Sequence, residues 1–99
     1  MCTPPLTAET ERRIDWLFPE ERRGAVRKLL LEQCGNNLPF RDKMDSLAMD
    51  RFRFAALKLS AGDWAKLLKA IELAKQDWRD LLVAAGFAND PEAHTAWLP

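Results

Sequence analysis

The 99-residue chain contains no tyrosine, one histidine, two cysteines and four glycines. Isoleucine and valine are almost as scarce, amounting to Ile14, Val26, Ile71 and Val83. Sheets draw on β-branched and aromatic residues, so a sheet is short of material and an all-α fold is expected. Cys2, Cys34 and His94 cannot close a tetrahedral zinc site without carboxylates, and their spacing is not that of metal ligands. No metal or cofactor is expected. The two thiols read as free, as in a reducing compartment. There is no glycine-rich phosphate loop and no nucleophile at a telling distance from a base. His94 therefore reads as a surface or capping residue, and no catalysis is expected.

Net charge is missing too: 15 basic residues balance 15 acidic ones, beside 47% apolar residues. That composition excludes simple disorder. It also argues against a protein that holds nucleic acid or anionic membrane by overall charge. No apolar run approaches the roughly 18–20 residues of a spanning helix. The longest, Leu29-Leu30-Leu31 and Leu81-Leu82-Val83-Ala84-Ala85, are core-sized. The first nine residues show neither the basic start nor the apolar stretch of a secretory leader, so a cytoplasmic location is expected.

Apolar residues recurring at helical spacing fill the rest of the chain. One domain of five or six short helices is expected, packed orthogonally because most segments span only about 10–15 residues. Residues 1–6 read as a frayed tail. Thr7 suits an N-cap, and Pro19 ends the first helix and starts the second. Gly35-Asn36-Asn37 reads as a left-handed stop, and Gly24 suggests a close helix crossing. Leu38-Pro39-Phe40 reads as a loop with two apolar anchors. The third helix, capped near Asp45 or Ser46, carries a stripe of Met44, Leu47, Ala48, Phe52, Ala55, Ala56 and Leu59. The fourth starts at a Ser60–Asp63 capping pattern, and a break near Gln76 separates it from the segment that ends at Gly86. Asp90-Pro91-Glu92 opens a last short helix that runs to about Trp97.

Four tryptophans are many for this length. Trp64 and Trp78 read as core pillars. Trp16 and Trp97 are candidates for contact with a partner, since tryptophan is enriched where partners bind most tightly. Trp97 lies near the chain end, where order requires docking, most simply onto its own domain. Phe52 faces the core, while Phe54 sits about 160° away and marks a second contact face. Arg51 lies at the border of the stripe, where its stem covers apolar surface and its charge is expected to meet a carboxylate of the chain, the alternative being a ligand anion. Arg51, Phe54, Trp16 and Trp97 are thus the candidate partner-binding residues. The surface they imply belongs to a small interaction module, an adaptor, neutraliser or regulator. Its partner is another protein or a second copy of the chain.

A reading of another class joins the third and fourth helices, about residues 46–75, as a helix-turn-helix for a DNA-linked regulator. Lys66, Lys69 and Gln76 would face the groove, but Asp63, Glu72 and Asp77 beside them would repel phosphates, so nucleic acid is not the expected partner. The charge asymmetry is small. Residues 36–60 hold five basic side chains against three acids, and residues 61–99 hold four against six.

The run Asp77-Trp78-Arg79-Asp80-Leu81-Leu82-Val83-Ala84-Ala85-Gly86-Phe87, followed by His94 and Trp97, resembles a stretch of small bacterial helical proteins with no assigned activity. The likeness extends back over Arg53–Ser60. It implies a bacterial source and supplies no ligand, partner or catalytic residue.

Overall fold

The computed structural model of the chain describes residues 5–35, 46–90 and 92–99. They form α1 (Ala8–Leu17), α2 (Glu20–Gln33), α3 (Ser46–Ser60), α4 (Trp64–Gln76) and α5 (Trp78–Ala85), then a 3₁₀ turn (Ala93–Ala96). The fold is all-α, with no strand among the described residues. Asn36-Asn37, the Leu38–Phe40 loop, Met44, Asp45 and Pro91 lie outside them, as does the start of the N-terminal tail.

Local chemistry sets most helix ends. The Thr7 hydroxyl accepts from Thr10 N (3.2 Å) and caps α1. Phe18, held extended before Pro19, closes α1, and α2 starts directly after the proline. Asp63 caps α4 through Ala65 N (3.0 Å). The expected break falls at Asp77, which is extended and caps α5 through Arg79 N. The hydrogen-bonded Arg79 side chain holds the Asp77 carboxyl below its usual range. Gly86 is left-handed and ends α5 with a backbone bond from Phe87 to Leu82. The last segment forms a single 3₁₀ turn.

α3 is the centre of the molecule and packs against α1, α4, α5 and the 3₁₀ turn. Every residue from Phe52 to Leu57 is buried, so this helix is enclosed on all sides instead of along one stripe. The core adds Ile14, Val26, Leu30, Leu67, Ile71 and Leu81. Trp64 and Trp78 are half-buried and pack against it. The start of the expected α3 stripe turns outward: Leu47 is 73% exposed.

Enclosing α3 also buries its polar residues. Arg53 is fully buried and donates from Nε to the Cys34 carbonyl (3.0 Å) and from Nη1 to the Pro5 carbonyl (3.0 Å). It thereby fastens Pro5 and the end of α2 to the central helix, while Leu6 packs against the core. Asp50 accepts from the Thr7 hydroxyl (2.9 Å) and the Thr10 hydroxyl (2.8 Å), so the cap of α1 is tied to α3 as well. Burial of Arg53 lowers its pKa, and Cys34 and Asp50 oppose that shift. Burial pushes the Cys34 thiol up from 9.0 to about 12, with the Arg53 charge acting in the opposite sense.

The turn between α3 and α4 runs close against the end of α1. Ala61 and Gly62 both have positive φ, and a Cβ on Gly62 would stand 2.6 Å from the Leu17 carbonyl oxygen. Gly24 does not mark a helix crossing, because a Cβ there would meet nothing within 4 Å. The two glycines should therefore respond oppositely to alanine. In urea unfolding, Gly24→Ala should stabilise by about 0.5–1 kcal/mol through helix propensity. Gly62→Ala should cost more than the roughly 1–2 kcal/mol of a left-handed non-glycine residue.

Cys34 generates a pH prediction. Its folded pKa lies above the unfolded one, so the stabilisation is complete below about 9 and is lost as pH rises towards about 12. Urea midpoints at pH 8 and 10 should fall more for a Cys2→Ser protein than for Cys2→Ser with Cys34→Ala. In the folded Cys2→Ser protein, Cys34 should resist a maleimide at pH 8 and react once urea unfolds the chain.

Candidate functional site

Three of the four candidate residues gather at one corner of the molecule, where α1, the first half of α3 and the 3₁₀ turn meet. Phe54 is 2% exposed, so this second face of α3 is filled from within the chain. The His94 ring packs on Phe54 with centroids 5.4 Å apart, and the Trp97 ring lies at 6.3 Å. Phe87 closes the aromatic group from the other side. Trp97 is half-buried here and docks on its own domain. His94 is buried, not on the surface as its position near the chain end suggests.

Arg13 holds this corner together. It is 2% exposed, with its guanidinium 4.0 Å above the Phe54 ring centre. Nε and Nη2 both donate to the Trp97 carbonyl, at 3.2 and 2.9 Å. Nη1 donates to the Glu9 carbonyl and to the Glu9 carboxylate. A buried guanidinium needs acceptors for its donors as well as a counter-charge, and one turn of α1 plus the C-terminal carbonyl supply both.

Arg51 stands at the edge of the same corner. Its charge does not meet a carboxylate, as its border position suggested. Nη2 donates to two backbone carbonyls, Phe87 (2.7 Å) and Ala88 (3.3 Å). These carbonyls follow the end of α5, where no further helical turn supplies donors.

Between these groups lies a cavity of about 670 Å³. Its apolar wall includes Leu47, Phe52, Phe54 and Trp78, and its polar wall includes Asp50, Arg51 and His94. Phe52 and Trp78 meet edge to face, 5.6 Å between centroids at 85°. The volume lies in the range of small-molecule and anchor-residue pockets, roughly 300–1,000 Å³. Leu47 was read from the sequence only as part of a buried stripe. It stands in the first turn of α3, open to solvent, and periodicity carries no information on where neighbouring elements stop.

Trp16 lies elsewhere. It is 56% exposed and shares a depression with Leu17, Ala61, Leu98 and Pro99. On α4, the helix of the DNA reading, Lys66 and Lys69 are exposed and Lys75 pairs with Glu72 at 3.2 Å. Among the described residues no three His, Cys, Asp or Glu side chains converge, and no helix is long and apolar enough to cross a membrane.

The role given to Arg13 predicts the outcome of its removal. Arg13→Met keeps an apolar stem over Phe54 but leaves the Trp97 carbonyl without its donors. It should cost about 1–3 kcal/mol. The Trp97 indole resonance should move towards its unfolded position before global unfolding. Comparison with protein-family models, with curated proteins and with solved structures finds no match for the chain, so the reading of this site rests on its geometry.

Proposed function

We propose that the chain is a protein-interaction module whose recognition surface is the cavity between α1, α3 and the 3₁₀ turn. One observation carries this reading. Among the described residues Leu47 is the most exposed of the large apolar side chains, and it stands beside a cavity walled by Phe52, Phe54 and Trp78. An exposed leucine gains nothing for the fold, since burying it is worth about 1.5–3 kcal/mol that this position forgoes. Placed beside a concave aromatic wall, it suits an anchor side chain of a partner, which would cover both together. A second copy of the chain is the other form such a partner can take.

The Trp16 depression is the weaker surface. It is shallow, and apart from Trp16 its rim consists of Leu17, a turn alanine and the last two residues. Apart from the Trp16 indole no polar side chain lines it, whereas Asp50, Arg51 and His94 stand in the cavity.

Leu47→Glu tests the proposal with little risk to folding, because the side chain is already in solvent. Wild-type, Leu47→Glu and Trp16→Glu proteins would be immobilised and exposed to lysate of the source organism, and sedimentation would report self-association. A stoichiometric partner or a dimer should form with the wild type and Trp16→Glu and be lost with Leu47→Glu. Loss with Trp16→Glu alone would move the recognition surface to the other patch. A strict monomer that retains nothing would overturn the reading.

A further inference from the structure

Arg51, half-buried, differs from the two buried arginines. Arg13 has the Glu9 carboxylate at 3.0 Å, and Arg53 lies near Asp50. Arg51 makes no ion pair among the described residues. Its hydrogen bonds leave from Nη2 alone and end on neutral carbonyls. Nε is shielded from solvent and has no acceptor. A guanidinium carries five N–H donors, so most of this one's capacity is unspent.

The acids around the cavity do not fill the gap. Asp50 precedes Arg51 in the chain, but successive helical residues do not face each other, and both Asp50 oxygens accept from Thr7. Glu9 is held by Arg12 and Arg13. Glu92 is exposed and lies beyond ion-pair distance of Arg51. What remains is the Arg51 guanidinium without a counter-ion, with the exposed Glu92 carboxylate beyond its reach, in a wall whose other members include Leu47, Phe52, Phe54 and Trp78.

We infer that this cavity binds an apolar carboxylate, its anionic end on the Arg51 guanidinium and its body against Leu47 and Trp78. The inference builds on the reading of the cavity as the recognition surface and names the chemistry recognised there. The same group can come from the C-terminus of a protein ending in an apolar residue or from a small free acid. Arg51 treats the two alike, because a planar guanidinium engages a carboxylate by the same charge-assisted hydrogen bonds in either.

The test titrates the full-length ¹⁵N-labelled protein with 4-phenylbutyrate, its amide and 4-phenylbutylamine. The Trp78 indole and Arg51 Nε–H resonances are the readout. The acid should shift both and bind about tenfold or more tightly than the amide, the size of one charged hydrogen bond. Arg51→Met should abolish that preference. Should this variant fail to fold, the acid–amide comparison on the wild type decides alone. Equal binding of acid and amide, tighter binding of the amine, or no shift at millimolar acid would overturn the inference.

A tetrapeptide ending in leucine, with free or amidated carboxyl, separates the two sources. Tighter binding of the free peptide than of phenylbutyrate assigns a chain terminus, and the reverse assigns a small acid. The two proposals fail separately. A partner lost with Leu47→Glu while acid and amide bind equally leaves the interaction and removes the carboxylate. Acid binding with no partner retained does the opposite.

Discussion

Positive side chains on backbone carbonyls are what the rest of this molecule depends on. Arg53 holds the carbonyls of Pro5 and Cys34, Arg13 those of Glu9 and Trp97, Arg51 those of Phe87 and Ala88, and Lys58 that of Ala85. Arg23 does the same for Asp15 and Phe18 at the end of α1. Apart from the Glu9 carbonyl, in the first turn of α1, these carbonyls lie at the C-terminal end of a helix or in a connection, where the helix's own hydrogen bonds run out. In a chain built from short helices such ends are numerous relative to length. A side chain with several donors and a long stem satisfies them without further backbone, and the stem covers apolar surface on the way. Arg51, Arg53 and Lys58 all project from α3, which explains why that helix can be central and still carry charge. Surface ion pairs matter less. The Arg27 contacts with Glu11 and Asp15 join α1 to α2 across solvent, where each pair contributes about 0–1 kcal/mol.

The boundaries of four helices were legible because they depend on local chemistry. Thr7, Pro19, Asp63, Asp77 and Gly86 each act within a few residues of their own position, and the structure uses each of them at or beside a helix end. The burial of α3 was not legible in the same way. A helical stripe assumes one dry face and one wet one. The second face of α3 became dry only because Arg13, His94 and Trp97 arrive from elements far away in sequence. Phe54 carried a trace of this, as an aromatic residue opposite the main stripe. Which surface would cover it could not be read, since that depends on the chain's own end turning back.

Arg51 illustrates a more general gap. A sequence displays side-chain partners but hides backbone ones. A border arginine on a helix suggests a carboxylate, because carboxylates are visible letters. The carbonyls after α5 are better acceptors here, since their positions are fixed by the left-handed Gly86 and they would otherwise lack donors. Gly24 erred in the opposite direction: a helical glycine suggests close packing, yet its surroundings are open. In both cases the letter stated a capacity and the tertiary structure decided its use.

That difference bears on how the cavity should be understood. A fold that keeps zero net charge and gives both of its buried arginines a nearby acid has the means to do the same for Arg51, which it leaves on neutral carbonyls. Arg51 could have been silenced at its own border position by a glutamate one turn along α3, as Glu9 does for Arg13 on α1. Instead, the positions one turn to either side are Leu47 and Ala55, both apolar. A partly exposed guanidinium held only by neutral carbonyls gives up some hydration without gaining a counter-ion, which reduces what those hydrogen bonds contribute. The same arrangement lowers the cost of binding, because the donors are already oriented and part of the desolvation has occurred before a ligand arrives. What the free chain leaves without a counter-ion is what a bound carboxylate would complete.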